Sequence, residues 1–233
     1  MSQQFLKLIQ RGATAEIADS VSADPALLTW RDAQGLSALT WAIYSGQTMV
    51  RDYLIAERQR EGIAPDAYEA AALGDAEALA QALEATPEAL REPSPDGWTL
   101  LHLAAAFGTP ATVQLLLARG ANACACSNNA QRNEPLHAAL ALGRDPESIR
   151  MLLDAGAKPD ARQTGGFTAL FSAAAANRRD LCELLLAHGA SAHLANDFGQ
   201  TAAGYARERS HTELADWLES QPARPSEPVS KPK

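Results

Sequence analysis

Two histidines and a pair of cysteines are the first residues to weigh for chemistry. His102 stands in Thr99-Leu-Leu-His-Leu-Ala104 and His137 in Glu134-Pro-Leu-His-Ala-Ala139. A histidine titrates near neutral pH and can act as a general base or a metal ligand. Their recurrence in two copies of one local pattern instead marks a repeated structural position. His188, His193 and His211 fall at helix ends or in loops, with no carboxylate or cysteine constellation around them. Cys124-Ala-Cys126 has the spacing of a redox or metal-binding pair, and a thiol becomes reactive when its pKa is lowered. Two cysteines do not complete a structural zinc site, which takes four ligands, so the pair reads as part of a variable loop. Cys182 reads as a small apolar residue on a leucine-rich helix. No nucleophile elbow, phosphate-cradling glycine loop, His-Glu-x-x-His motif or nucleotide fingerprint occurs. The chain therefore reads as non-catalytic, with no cofactor and no metal.

The elements that carry these residues must come from a chain of 233 residues with 46% hydrophobic content, enough to bury a continuous core. A formal net charge of −8 sets up a field that repels phosphate backbones and anionic lipid, which argues against nucleic acid as a partner. Three cysteines are too few for a disulfide scaffold and fit a reducing compartment. The N-terminus lacks the basic start and apolar run of a secretory signal, and no stretch is long enough to span a bilayer. These features predict a cytoplasmic protein without membrane insertion.

A period runs through the sequence. Trp98 to Gly108, Asn133 to Gly143 and Phe167 to Asn177 align, and their last residues stand 35 and 34 positions apart. A leucine-rich segment with a glycine-containing stop follows each block, as in Val113-Gln-Leu-Leu-Leu-Ala-Arg-Gly-Ala121, with the stops at Gly120, Gly156 and Gly189. Glycine there ends a helix in the left-handed conformation without steric cost. Taking the residue between the paired helices as a marker extends the frame to Gly12, Gly46, Gly74 and Ser210, with one short spacing of 28 between Gly46 and Gly74. The Arg58–Asp66 segment in that short interval has no glycine hairpin, which predicts a missing or truncated turn and a local change in curvature.

The motif, the period and the leucine helix together resemble the ankyrin repeat, a unit of about 33 residues with the signature Thr-Pro-Leu-His-x-Ala. The match loosens at Thr168-Ala-Leu-Phe-Ser-Ala173, where Phe171 replaces histidine. The resemblance implies an all-α repeat solenoid of about seven stacked helix-turn-helix units with β-hairpin fingers, at about 1–30, 31–62, 63–93, 94–127, 128–161, 162–195 and 196–220. The first and last units would be caps, and residues 221–233 a disordered proline-rich tail. It further implies that the motif histidines hydrogen-bond one turn to the next.

Function in that family lies on the hairpin tips and the inner surface of the first helices, the concave face. The aligned frame places Leu36, Trp98, Asn133 and Phe167 at tips, and Tyr44, Phe107 and Leu142 at the ends of first helices, with Arg132 as a polar neighbour. Aromatics in such positions are common hot spots of protein interfaces. The implied function is a scaffold or adaptor that binds another protein, the negative charge favouring one with a basic surface, while the chain itself stays monomeric. A regulatory inhibitor of an enzyme or toxin would use the same face. A thiol-dependent or small-molecule enzyme is the third alternative and needs Cys124 and Cys126 or a pocket to carry it.

Overall fold

The computed structural model of the protein describes residues 2–142 and 145–223, and within them the apolar periodicity becomes fourteen α-helices in seven successive pairs. They are α1 (Ser2–Gln10) with α2 (Thr14–Ala23), α3 (Ala38–Tyr44) with α4 (Thr48–Arg60), α5 (Ala67–Leu73) with α6 (Ala76–Ala85), and α7 (Leu100–Phe107) with α8 (Pro110–Ala118). The series continues with α9 (Pro135–Ala141) and α10 (Pro146–Asp154), α11 (Ala169–Ala175) and α12 (Arg179–Ala187), and α13 (Ala202–Glu208) and α14 (Thr212–Glu219). The first helix of each pair packs on the first helix of the next, so the chain is an all-α repeat solenoid.

One short rule builds the first-helix layer. A polar residue opens the helix: the side chains of Ser37, Asp66, Thr99 and Thr201 each accept a hydrogen bond from the backbone N–H three positions on. Five residues after the opening position stands a buried alanine, at Ala42, Ala71, Ala104, Ala139, Ala173 and Ala206, none more than 2% exposed. A methyl group there lets neighbouring first helices approach closely. The second helices bury larger pairs at three- or four-residue spacing, such as Val50 with Leu54, Leu79 with Leu83, Val113 with Leu116 and Leu181 with Leu185. Each such side chain contributes about 1.5–3 kcal/mol on leaving water.

The histidines tie the layers together. His102 Nδ1 accepts from the Thr99 N–H at 3.3 Å, which leaves Nε2–H to donate to the Asn133 carbonyl of the next pair at 3.0 Å. His137 repeats this, accepting from the Glu134 N–H and donating to the Ala161 carbonyl. Phe171 takes the third position and packs its ring against Phe167 and Tyr205 instead.

The expected hairpin fingers are tight five-residue turns with at most one isolated bridge, at Arg31–Ser37 and Ala195–Thr201. In each, the first residue donates its N–H to the carbonyl of the last: Asp32 to Leu36, Ser94 to Trp98, Gln163 to Phe167 and Asn196 to Gln200. A turn this short cannot sustain a ladder. The turn from Ser127 to Asn133 is two residues longer, and Arg132 (φ 49°) holds the left-handed position that glycine holds in the others.

Adjacent turns are stitched in series. Asn128 N–H donates to Gly97 O, Thr164 N–H to Gln131 O and Asp197 N–H to Gly165 O. Each donor directly follows the first residue of its turn. In the turn from Ser94 to Trp98 that position is Pro95, which has no N–H to give.

Pro95 lies where the chain omits a turn. No bridge forms over residues 58–66, and the chain passes from α4 into α5 through a short linker. The Arg58 guanidinium takes the missing turn's place: it forms two bonds to the Glu69 carboxylate at 2.8 and 2.9 Å and a third to the Ala64 carbonyl of the linker. Both side chains of the pair are buried. Hydrophobic packing divides at this point into one core from Phe5 to Leu54 and a second from Ala67 to Leu218.

At the C-terminal end Arg207 pairs with Asp216 and Glu219, and Arg179 lies over the Trp217 ring. Gln221, the first residue of the expected tail, is tied to the array. Gln221 N–H donates to the Leu218 carbonyl, and its own carbonyl faces His193 Nε2 at 2.7 Å. Residues 224–233 lie outside the described residues.

Candidate functional site

The face made by the first helices and the turns carries two aromatic groups. In the first, Tyr44 at the end of α3 stacks on Phe107 at the end of α7, with ring centroids 5.1 Å apart and planes 23° apart. Trp98 packs against both at 6.4 and 6.1 Å. The phenol of Tyr44 donates to the Asp96 carboxylate at 2.8 Å. Burial, reinforced by the Asp96 charge and that hydrogen bond, pushes the Tyr44 pKa well above the ordinary tyrosine value.

The second group is Phe167, Phe171 and Tyr205, with Phe198 at its rim. Phe167 meets Phe171 edge to face at 5.3 Å and Tyr205 at 5.7 Å, and Phe198 stands 6.2 Å from Phe167. Arg209 lies over the outer face of Tyr205 at 3.9 Å. Leu140, Ala141, Gln163, Phe167, Phe171 and Tyr205 line a hollow of about 440 Å³.

Tyr44, Trp98, Phe107 and Phe167 are half-buried members of these groups, while Arg132 is exposed and Leu142 is 45% exposed. Two residues expected on the surface are not there. Leu36 is only 5% exposed; its carbonyl accepts from the Asp32 N–H and its own N–H donates to the Asp32 carboxylate, which closes the turn. Asn133 is 7% exposed; its N–H is held by the Ser127 hydroxyl and its carbonyl by His102. Phe198, 73% exposed, was not among the expected residues. The apex of a turn is its third residue, so marking tips by the residue before the motif threonine falls two positions late. The signal was present in Asn196-Asp-Phe-Gly-Gln200, whose glycine fixes the apex just before it.

The thiols stand apart from this face. Cys126 is exposed, and the half-buried Cys124 Sγ lies 3.2 Å from the Gly156 carbonyl. Cys182 is fully buried, and desolvation pushes its thiol up to about 12. Among the described residues no group of three or more His, Cys, Asp or Glu side chains could hold a metal ion, and no helix is long and apolar enough to cross a membrane.

The family model for ankyrin repeats matches residues 67–163 and 141–227, more than half of the chain. The chain belongs to the ankyrin repeat family. Ankyrin repeats are protein–protein interaction modules. A putative ankyrin repeat-containing protein of Treponema pallidum is 35% identical over 111 residues, 48% of this chain and 37% of that protein. Ankyrin repeat and SOCS box protein 16 of Mus musculus is 39% identical over 110 residues, 44% of this chain and 24% of its own length. A glycerophosphocholine phosphodiesterase, gde1 of Schizosaccharomyces pombe, is 37% identical over 103 residues that make up 9% of it. This ankyrin chain thus spans well under half of these curated relatives.

Proposed function

We propose that the chain is a non-catalytic scaffold or adaptor that holds a partner protein against the first helices and turns. The observation that carries this reading is the concentration of half-buried and exposed aromatics on that one face, from Tyr44, Trp98 and Phe107 to Phe167, Tyr205 and Phe198. Aromatic rings bury large area for little loss of side-chain entropy, which makes them interface anchors. Arg132 and Leu142 flank them. In this reading each helix pair is one repeat, seven in all, with α1–α2 and α13–α14 as caps. The net charge of −8 favours a basic partner through faster encounter, so affinity falls as salt rises.

The test is affinity capture from a lysate with the wild type beside a Trp98→Ala/Phe107→Ala variant of unchanged helicity, with the retained species identified by mass spectrometry. Each substitution is expected to weaken binding by about 1 kcal/mol or more. A partner held equally by both proteins would place the working surface elsewhere.

A further inference from the structure

Between the second and third helix pairs the array loses three things at once. The hydrophobic core divides between Leu54 and Ala67. The turn is missing, and Pro95 cannot donate across the gap. Two crevices enter the same interface. One of about 350 Å³ is lined by Leu39, Ile55, Ile63 and Leu73, and one of about 270 Å³ by Ile43, Ala72 and Phe107, with Arg51 and Leu73 shared by both. Elsewhere the packing runs on through one core from α5 to α14.

What crosses this seam is polar, aromatic or partly buried aliphatic: Ile43 packs against both cores, and Leu73 of α5 against the first. Arg58 bonds Glu69, Arg31 Nη2 lies 2.7 Å from the Asp66 carboxylate, and the Tyr44 hydroxyl reaches Asp96 while its ring stacks on Phe107. We propose that the seam is a hinge. The block from α1 to α4 moves against the block from α5 to α14, each keeping its own core, and the Tyr44–Asp96 contact is the latch that holds the closed form. Arg58 and Glu69 lie beside the linker and act as the pivot. Because Tyr44 belongs to one block and Trp98 and Phe107 to the other, closing the latch also completes the first aromatic group.

Pulsed electron resonance on the full chain tests this, in a background with Cys124→Ser and Cys126→Ser, since Cys182 is buried. Spin labels on Met49→Cys and Gln81→Cys, both exposed, read across the seam, and labels on Gln81→Cys and Gln114→Cys read within the larger block. The cross-seam distance distribution is expected to be broader than the control. Tyr44→Phe and Asp96→Ala, which remove the donor and the acceptor of the latch, should broaden it further and leave the control unchanged. A cross-seam distribution as narrow as the control in all three proteins would overturn the hinge. One that is broad but unmoved by both substitutions would overturn the latch.

Discussion

His102 shows how much a single side chain can be read for. Two copies of its motif mark a repeated structural position, the ankyrin resemblance implies a bridge between units there, and the geometry bears this out: one ring nitrogen caps its own helix and the other reaches the next pair. Burial lowers its pKa from 6.5 to about 4, and His137 shifts in the same direction for the same cause. The unfolded chain takes up a proton near pH 6.5 while the folded chain does not. Stability is therefore intact above about pH 7 and declines as pH falls, by of order 3 kcal/mol from His102 alone at pH 4. Urea midpoints measured from pH 7 to pH 4 should show this fall, and His102→Gln should flatten it. Arg58 makes a different prediction. Removing it strands the buried Glu69 carboxylate, so Arg58→Met should cost about 3–5 kcal/mol, while Arg58→Met/Glu69→Leu should recover most of the loss. Equal urea midpoints for the single and double variants would refute that account. Neither the Arg58–Glu69 pair nor the Tyr44–Asp96 contact was legible in the sequence. Glu69 and Tyr44 hold repeating positions, but each contact spans the place where a turn is omitted, and a period says nothing about contacts that only a departure from it creates.

The helices were the most legible elements, because an alanine-rich and a leucine-rich face recur at a fixed distance. The stops at Gly120, Gly156 and Gly189 are left-handed as expected, yet Gly108 is extended. A Cβ on Gly108 would lie 2.5 Å from the Ala71 carbonyl, so glycine serves there for close approach to the preceding pair. The turns were located correctly, as tight bends closed by at most one antiparallel bridge each, but their tips were placed at Leu36 and Asn133, which are buried. The stitching between turns yields a test at this scale. Gly97 is left-handed, and an added Cβ would fall 2.4 Å from the Asn128 carbonyl oxygen. Gly120 is equally left-handed, with no neighbour within 4 Å. Gly120→Ala should cost about 1–2 kcal/mol. Gly97→Ala should cost clearly more, since the neighbouring turn must also move. Thermal unfolding of the two variants compares them directly.

A solenoid stores its stability in nearest-neighbour interfaces, so a weak interface divides it. Leu54→Ala and Leu116→Ala each remove a fully buried leucine, at about 2–5 kcal/mol, but from different cores. In urea, the first should lower the transition of the N-terminal block and leave the later one in place, and the second should do the reverse. If both substitutions move a single transition alike, the two cores unfold as one. The short 28-residue spacing flagged this place in the sequence, although the division of the core behind it did not follow from spacing alone. The six buried alanines, Ala42 through Ala206, give the array a further property. Its pitch is set by the smallest side chain that chirality allows, repeated at each rung. From Ala71 onward, where one core is continuous, the array behaves like a ruler whose divisions leave no tolerance. A single added methylene at one rung cannot be absorbed where it is made, and it displaces every rung beyond, so that the error is largest at the far end.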